Sequence, residues 1–218
     1  FIFIVILSLN SFAIAENNLV VGEDRGYKDI ESDLIKSYII ENSDRFPIKN
    51  KGTIALALGG GGARAFVNVG VLKALHEHNI PIDMVIGTSM GAVIASMYGS
   101  GLNPYQIEKI VKSKDFANLF DFNFLLSYSL LDPSKLNDFL GEIVLEDKLE
   151  NFPINTAILS LNLSKKKKYI HTKGYIGDVV HSSYAIPIVF PVKYYNKEYF
   201  IDPGIQELTR ALAAKVLG

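Results

Sequence analysis

Two short apolar runs constrain this chain more than any other feature, because each closes in a glycine-dense turn and continues with helical periodicity. Thr53-Ile54-Ala55-Leu56-Ala57-Leu58 carries no polar residue after Thr53, the pattern of a strand buried on both faces. Gly59–Gly62 follows it, and Val67, Val71 and Leu75 then recur at helical spacing between about Ala63 and His78. Met84-Val85-Ile86 is the second run. It ends in Gly87-Thr88-Ser89-Met90-Gly91, and a helix continues to Tyr98. Strands alternating with helices predict an α/β fold, a three-layer sandwich with a mainly parallel central sheet. Ligands on such a sheet bind beyond the carboxyl ends of its strands.

The flanking segments fit around that frame. Phe1–Leu9 is almost wholly apolar, and Ala13-Ile14-Ala15 places small residues before Glu16. This predicts part of a secretory signal peptide over 1–15, since Asn10 interrupts the run before the about 20 residues a span requires. Residues 16–50 read as a linker and an N-terminal helix, with Ile30, Leu34, Ile35, Tyr38 and Ile39 at helical spacing. A catalytic domain is expected over 51–218. Asn103-Pro104 and Asp132-Pro133 are helix starts, with a capping side chain followed by proline. Ile154–Leu163 and Tyr169–Thr172 read as strands around a turn at Ser164–Lys168, and Val192–Tyr195 with Glu198–Asp202 as a hairpin about Asn196-Lys197. Ala211–Gly218 reads as a helix where an α/β chain would add a further strand, so a fragment of a longer protein is expected.

Charge and composition exclude several functions. With 22 Lys+Arg against 23 Asp+Glu the net charge is −1, so the basic excess of a nucleic-acid binder is missing. The absence of cysteine removes disulfides, thiol nucleophiles and zinc–thiolate sites. Four histidines leave little material for a histidine-rich metal centre.

Chemistry concentrates in the two glycine turns. Gly87-Thr88-Ser89-Met90-Gly91 fits G-x-S-x-G between strand and helix, where a strained turn lifts a serine hydroxyl clear of the sheet. A plain tight turn is the alternative. In Gly59-Gly60-Gly61-Gly62-Ala63-Arg64, successive unhindered N–H groups form a nest for an anionic oxygen, and Arg64 is placed to close the loop or add charge. Gly60-x-Gly62-x-x-Ala65 also fits a dinucleotide fingerprint, the basis of an oxidoreductase alternative. That fingerprint wants an acid ending the next strand, whereas Asp83 precedes it. For activating Ser89, His171 and His181 are candidates, but Asp202 is better placed, at the end of Tyr199-Phe200-Ile201. A carboxylate is a weak base near its ordinary pKa of about 4, and the apolar residues before it would supply desolvation. A capping aspartate is the structural alternative.

The ordered motifs GGGGAR, GTSMG, SSYAIPIVFPV and YFIDPG, spanning Lys51 to Gly218, resemble the patatin-like phospholipases. The resemblance implies a patatin-like sandwich and a lipid acyl hydrolase of phospholipase A type, with a Ser–Asp dyad forming an acyl-enzyme. It implies Ser89 as nucleophile, Asp202 as base, Gly60, Gly61, Gly62 and Arg64 as oxyanion site, and Gly87 and Gly91 as supports of the nucleophile turn. It implies neither metal nor cofactor, and Ser183–Pro187 as structural support near the dyad. Three positions depart from the family pattern: Ala65 for Gly, Asn68 for His, and Pro203 in Asp202-Pro203-Gly204. Proline lacks an N–H and fixes φ near −65°, so a turn needing that donor or a positive φ would fail. A binding-only lipid relative is therefore the alternative. Expected partners are a phospholipid or other acyl lipid and, transiently, a membrane surface. Leu119–Leu131, rich in large apolar residues, reads as a mobile cover or a core helix, and Lys165–Lys168 as a solvated turn or a contact to anionic lipid. The signal-bearing members this chain resembles are exported, some joined downstream to an outer-membrane barrel. A cell-surface, outer-membrane or secreted location is expected.

Overall fold

The computed structural model describes residues 2–6, 38–41, 53–119, 132–205, 213, 214 and 217. Among the described residues eight strands form one mixed sheet: β1 (Ile2–Ile6), β2 (Tyr38–Ile40), β3 (Ile54–Leu58), β4 (Met84–Thr88), β5 (Asn155–Asn162), β6 (Lys167–His171), β7 (Lys193–Tyr195) and β8 (Glu198–Ile201). The order is β1-β3-β4-β5-β6-β2, with β8 joined to both β5 and β7. β1, β3, β4 and β5 run parallel, as does the β6–β2 pair. The hairpin contacts β5–β6 and β7–β8 and the β5–β8 contact are antiparallel.

Helices α1 (Val67–Glu77), α2 (Met90–Gly99), α3 (Pro104–Val111), α4 (Lys114–Asn118), α5 (Pro133–Ile143) and α6 (Ile176–Tyr184) connect the strands. One sheet face, through Leu56, Leu58, Val85 and Ile158, joins a core with Val69, Leu72, Val93, Leu140, Val180 and Tyr184 from the helices. The other face, through Ala55, Met84, Ile86, Leu159 and Ile170, packs against Ala213, Ala214 and Leu217. Each fully buried aliphatic side chain contributes about 1.5–3 kcal/mol by leaving water, which is why runs as apolar as 54–58 and 84–86 occupy the centre.

The helix starts follow their caps. Asn103 accepts from the Tyr105 and Gln106 amides in a complete capping box, and Asp132 accepts from the Ser134 amide. Other expectations are corrected. Residues 62–66 form a 3-10 turn before α1, which rotates the helix, so the buried face is Asn68, Val69, Leu72 and Leu75. Val67 is exposed instead. Tyr38 and Ile39, read as helical, are strand residues paired with Lys168 and Tyr169, because the β6 edge offers them a non-local ladder. Lys167 and Lys168 belong to β6, shortening the lysine turn. Apart from those corrections, residues 2–6, expected as the apolar part of a leader, pair in register with 54–58 as a sheet-edge strand. Phe, Ile and Val serve either role, being both apolar and strong strand formers. The linker and helix expected before Tyr38 and the cover at 120–131 lie outside the described residues. No described helix is long and apolar enough to cross a membrane.

Candidate active site

Because β3 and β4 are parallel neighbours, the turns after Leu58 and Thr88 emerge side by side at the carboxyl edge of the sheet. Ser89 stands in the second turn at φ 57, ψ −132, as the cap of α2. For a residue with a side chain that backbone costs of order 1–3 kcal/mol, so its surroundings must enforce it. Three contacts do so. A Cβ on Gly87 would come 2.5 Å from Ala92 Cα, and one on Gly91 would come 2.5 Å from the Gly59 oxygen. Both glycines are therefore required by close approach. The Ser89 amide donates to Ser183 Oγ at 2.8 Å, tying the turn to the last turn of α6. Only 7 % of Ser89 is exposed, and the positive end of α2 faces it.

The glycine loop lies directly against this serine. A Cβ on Gly60 would sit 2.5 Å from Ser89 Cβ and 3.2 Å from Ser89 Oγ. Gly61 and Gly62 adopt φ 123 and φ 57, conformations glycine takes without strain. Asn68 Nδ2, itself buried, donates to the Gly59 oxygen at 2.9 Å, pinning the loop from α1. Arg64 is exposed, and its Nε makes only a long 3.5 Å contact to the Gly61 oxygen.

Asp202 arrives from the far end of the chain. β6 occupies one side of β5 at Leu161 and Asn162, so β8 pairs with those residues on the other side, past the end of β4. The β4–β5 ladder ends at Thr88↔Leu159 and the β8–β5 ladder at Ile201↔Leu161. Extending each register by one residue leads from Ser89 and from Asp202 to the same β5 position, Ser160. Asp202 is 4 % exposed, its amide donates to the Ala185 oxygen at 3.1 Å, and its Oδ1 accepts from the Gly204 amide at 2.7 Å. The departure at Pro203 is thereby explained. Residues 203–205 form a 3-10 turn, whose φ proline supplies, and the donor to the carboxylate comes from Gly204 instead.

The histidines stand elsewhere. His76 and His78 are exposed. His181 stacks on Tyr184 with centroids 5.1 Å apart and meets the Pro191 oxygen at 3.3 Å. Burial, with Lys193 second, pushes its pKa down to about 4. His171 is fully buried with Nε2 2.8 Å from Ser160 Oγ, and burial pushes it down to about 3. The Ser160–His171 pair beneath the site carries no sequence motif and is visible only through the register. Asp83 accepts from the Ile54 amide at the amino edge of the sheet, opposite the glycine loop, so the dinucleotide alternative loses its acid. No cluster of metal-binding side chains occurs among the described residues.

Comparison with known proteins agrees with this architecture. The model of the patatin-like phospholipase family matches residues 56–213. The chain is 29% identical over 171 residues to lysophospholipase nte1 of Neurospora crassa, covering 76% of this chain and 11% of that protein. It is 27% identical over 179 residues to lysophospholipase NTE1 of Candida albicans, covering 80% and 13%. It thus spans a small part of these relatives' length. Among solved structures, VipD from Legionella pneumophila superposes with a TM-score of 0.55 at 17% identity, over 70% of this chain and 46% of that one, a likeness of fold. On the match across its central and C-terminal residues, this chain belongs to the patatin-like phospholipase family.

Proposed function

We propose that the protein is a lipid acyl hydrolase of phospholipase A type, working through Ser89 and Asp202. What supports this reading is that the β4–β5 and β8–β5 ladders end at Leu159 and Leu161, on either side of Ser160, with the Gly60 backbone against Ser89. The lysophospholipase names of its relatives support a lipid ester as substrate.

In the first half-reaction Ser89 Oγ attacks the ester carbonyl and its proton passes to the Asp202 carboxylate. The carbonyl oxygen becomes an oxyanion facing the N–H groups of Gly60, Gly61 and Gly62, dipoles already oriented for it. Collapse breaks the ester bond, and Asp202 returns the proton to the departing alcohol. In the second half a water gives its proton to Asp202 and attacks the acyl-Ser89; collapse breaks the Ser89–acyl bond, Asp202 returns that proton to Ser89 Oγ, and the fatty acid leaves. Neither step needs a metal or cofactor. Arg64, exposed beside the loop with its Nε 3.5 Å from the Gly61 oxygen, is proposed to add positive charge to the oxyanion site. We further propose export, with residues 1–15 as leader, residues 51–218 as the catalytic domain, and transient contact with a membrane surface.

Fatty-acid release from phospholipid vesicles tests the chemistry. Ser89→Ala and Asp202→Asn each lower the rate at least about a thousandfold with unchanged circular dichroism. Full activity in either variant removes that residue from its role. Lipid binding by the wild type without any release would favour the binding-only alternative.

A further inference from the structure

The segment from Tyr184 to Val192 joins α6 to β7 and contains no charged residue. It is tightly bound to itself, with the Ile186 amide on the Tyr184 oxygen at 2.7 Å and the Phe190 amide on the Ile186 oxygen at 2.8 Å. Phe190 anchors it inward against Tyr184, centroids 4.8 Å apart. Val189 packs partly buried against the same core, whereas three large side chains turn outward: Ile186 is 39 % exposed, Val192 42 % and Ile188 80 %. Ile188 also stands at φ 78, a conformation in which a β-branched residue is a genuine outlier. Glycine or asparagine would sit there without strain. This isoleucine therefore costs stability twice, by strain and by exposure, and its side chain contributes almost no packing.

The loop starts where the reaction would occur. Ala185 accepts from the Asp202 amide, and Ser183 accepts from the Ser89 amide. We propose that the 185–192 loop, with Ile188 at its tip, inserts into the surface of a phospholipid bilayer and holds the mouth of the Ser89 site against the acyl region. The inference rests on the hydrolase reading for its choice of partner. A bilayer fits better than a protein groove, because an uncharged tip beside a lipid-cleaving site needs depth in hydrocarbon rather than shape complementarity. The hairpin leaving the loop adds exposed Tyr194 and Tyr199, rings 4.9 Å apart, amphipathic side chains that favour the headgroup level.

The test compares the full chain with Ile188→Ser and Ile188→Gly in flotation with phosphatidylcholine–phosphatidylglycerol vesicles, and in turnover of a soluble short-chain ester below its micellar concentration. Both variants are expected to partition at least about tenfold more weakly, the factor for losing one buried isoleucine. They should retain the wild-type kcat/KM on the soluble ester, and Ile188→Gly should melt no lower than wild type. Unchanged partition of the glycine variant overturns the proposal. So does an equal loss on the soluble ester, which would place Ile188 in the reacting site, or loss of self-association with partition intact, which would assign the tip to a second copy. Flotation requires no turnover, so an inert wild type would overturn the hydrolase reading while partition still decides the loop.

Discussion

Gly60 has no room for a side chain, because a Cβ would stand 2.5 Å from that of Ser89. In Gly60→Ala either the loop or the nucleophile must shift, and a displacement near 1 Å at a reacting centre costs about a hundredfold in rate. The expected result, read in ester kinetics, is that kcat falls by about that factor. Asn68 acts on the same loop from below. Asn68→Ala leaves the buried Gly59 oxygen without its side-chain donor, at a cost of about 1–3 kcal/mol. Urea denaturation measures that loss, and ester kinetics should show a lowered kcat with KM nearly constant. Asn68 stood out in the sequence only as a departure from a family pattern. Its role is legible only when the carbonyl it holds is seen.

The elements divide according to whether their determinants are local. Strands 54–58 and 84–88 and the helix starts at Asn103 and Asp132 were readable, because apolar runs, glycine turns and capping side chains act within a few residues. The phase of α1 was not, since a 3-10 turn ahead of it shifts every later position. Neither was β2, which is a strand only because the β6 edge takes it. Ser89 and Asp202 could be nominated separately, but the proposal that they act together rests on β8 filling the side of β5 that β4 vacates, a fact of register. The β7–β8 turn permits a prediction of opposite sign to those above. Asn196 and Lys197 have φ 49 and φ 64, the two positive values of a type I′ hairpin turn. Lys197→Gly removes the strain and should stabilise the protein by about 0.5–1 kcal/mol in thermal denaturation, with ester turnover unchanged.

The whole molecule carries two consequences of burial. His171 and His181, held at about 3 and about 4, return to an ordinary value near 6.5 when the chain unfolds. Between those limits the unfolded chain binds more protons. Stability is therefore complete above about pH 6.5 and falls as pH drops toward 4, by up to about 1.4 kcal/mol per pH unit for each histidine. Urea midpoints from pH 7.5 to 4.5 should show this slope, and His181→Gln should flatten part of it. At the other end of the chain, β1 lies on the edge of the sheet beside β3. On the proposal that 1–15 is a leader, the mature protein lacks the mass of those residues; a mass that retains them contradicts that proposal. The central claim, that one hydroxyl, one buried carboxylate and one glycine loop form a single reacting centre, is tested most directly by a fluorophosphonate probe followed by peptide mass spectrometry. The prediction is one equivalent of adduct on Ser89, formed at least about a hundredfold more slowly in Asp202→Asn. No adduct, an adduct on another serine, or equal rates in the two proteins would contradict it.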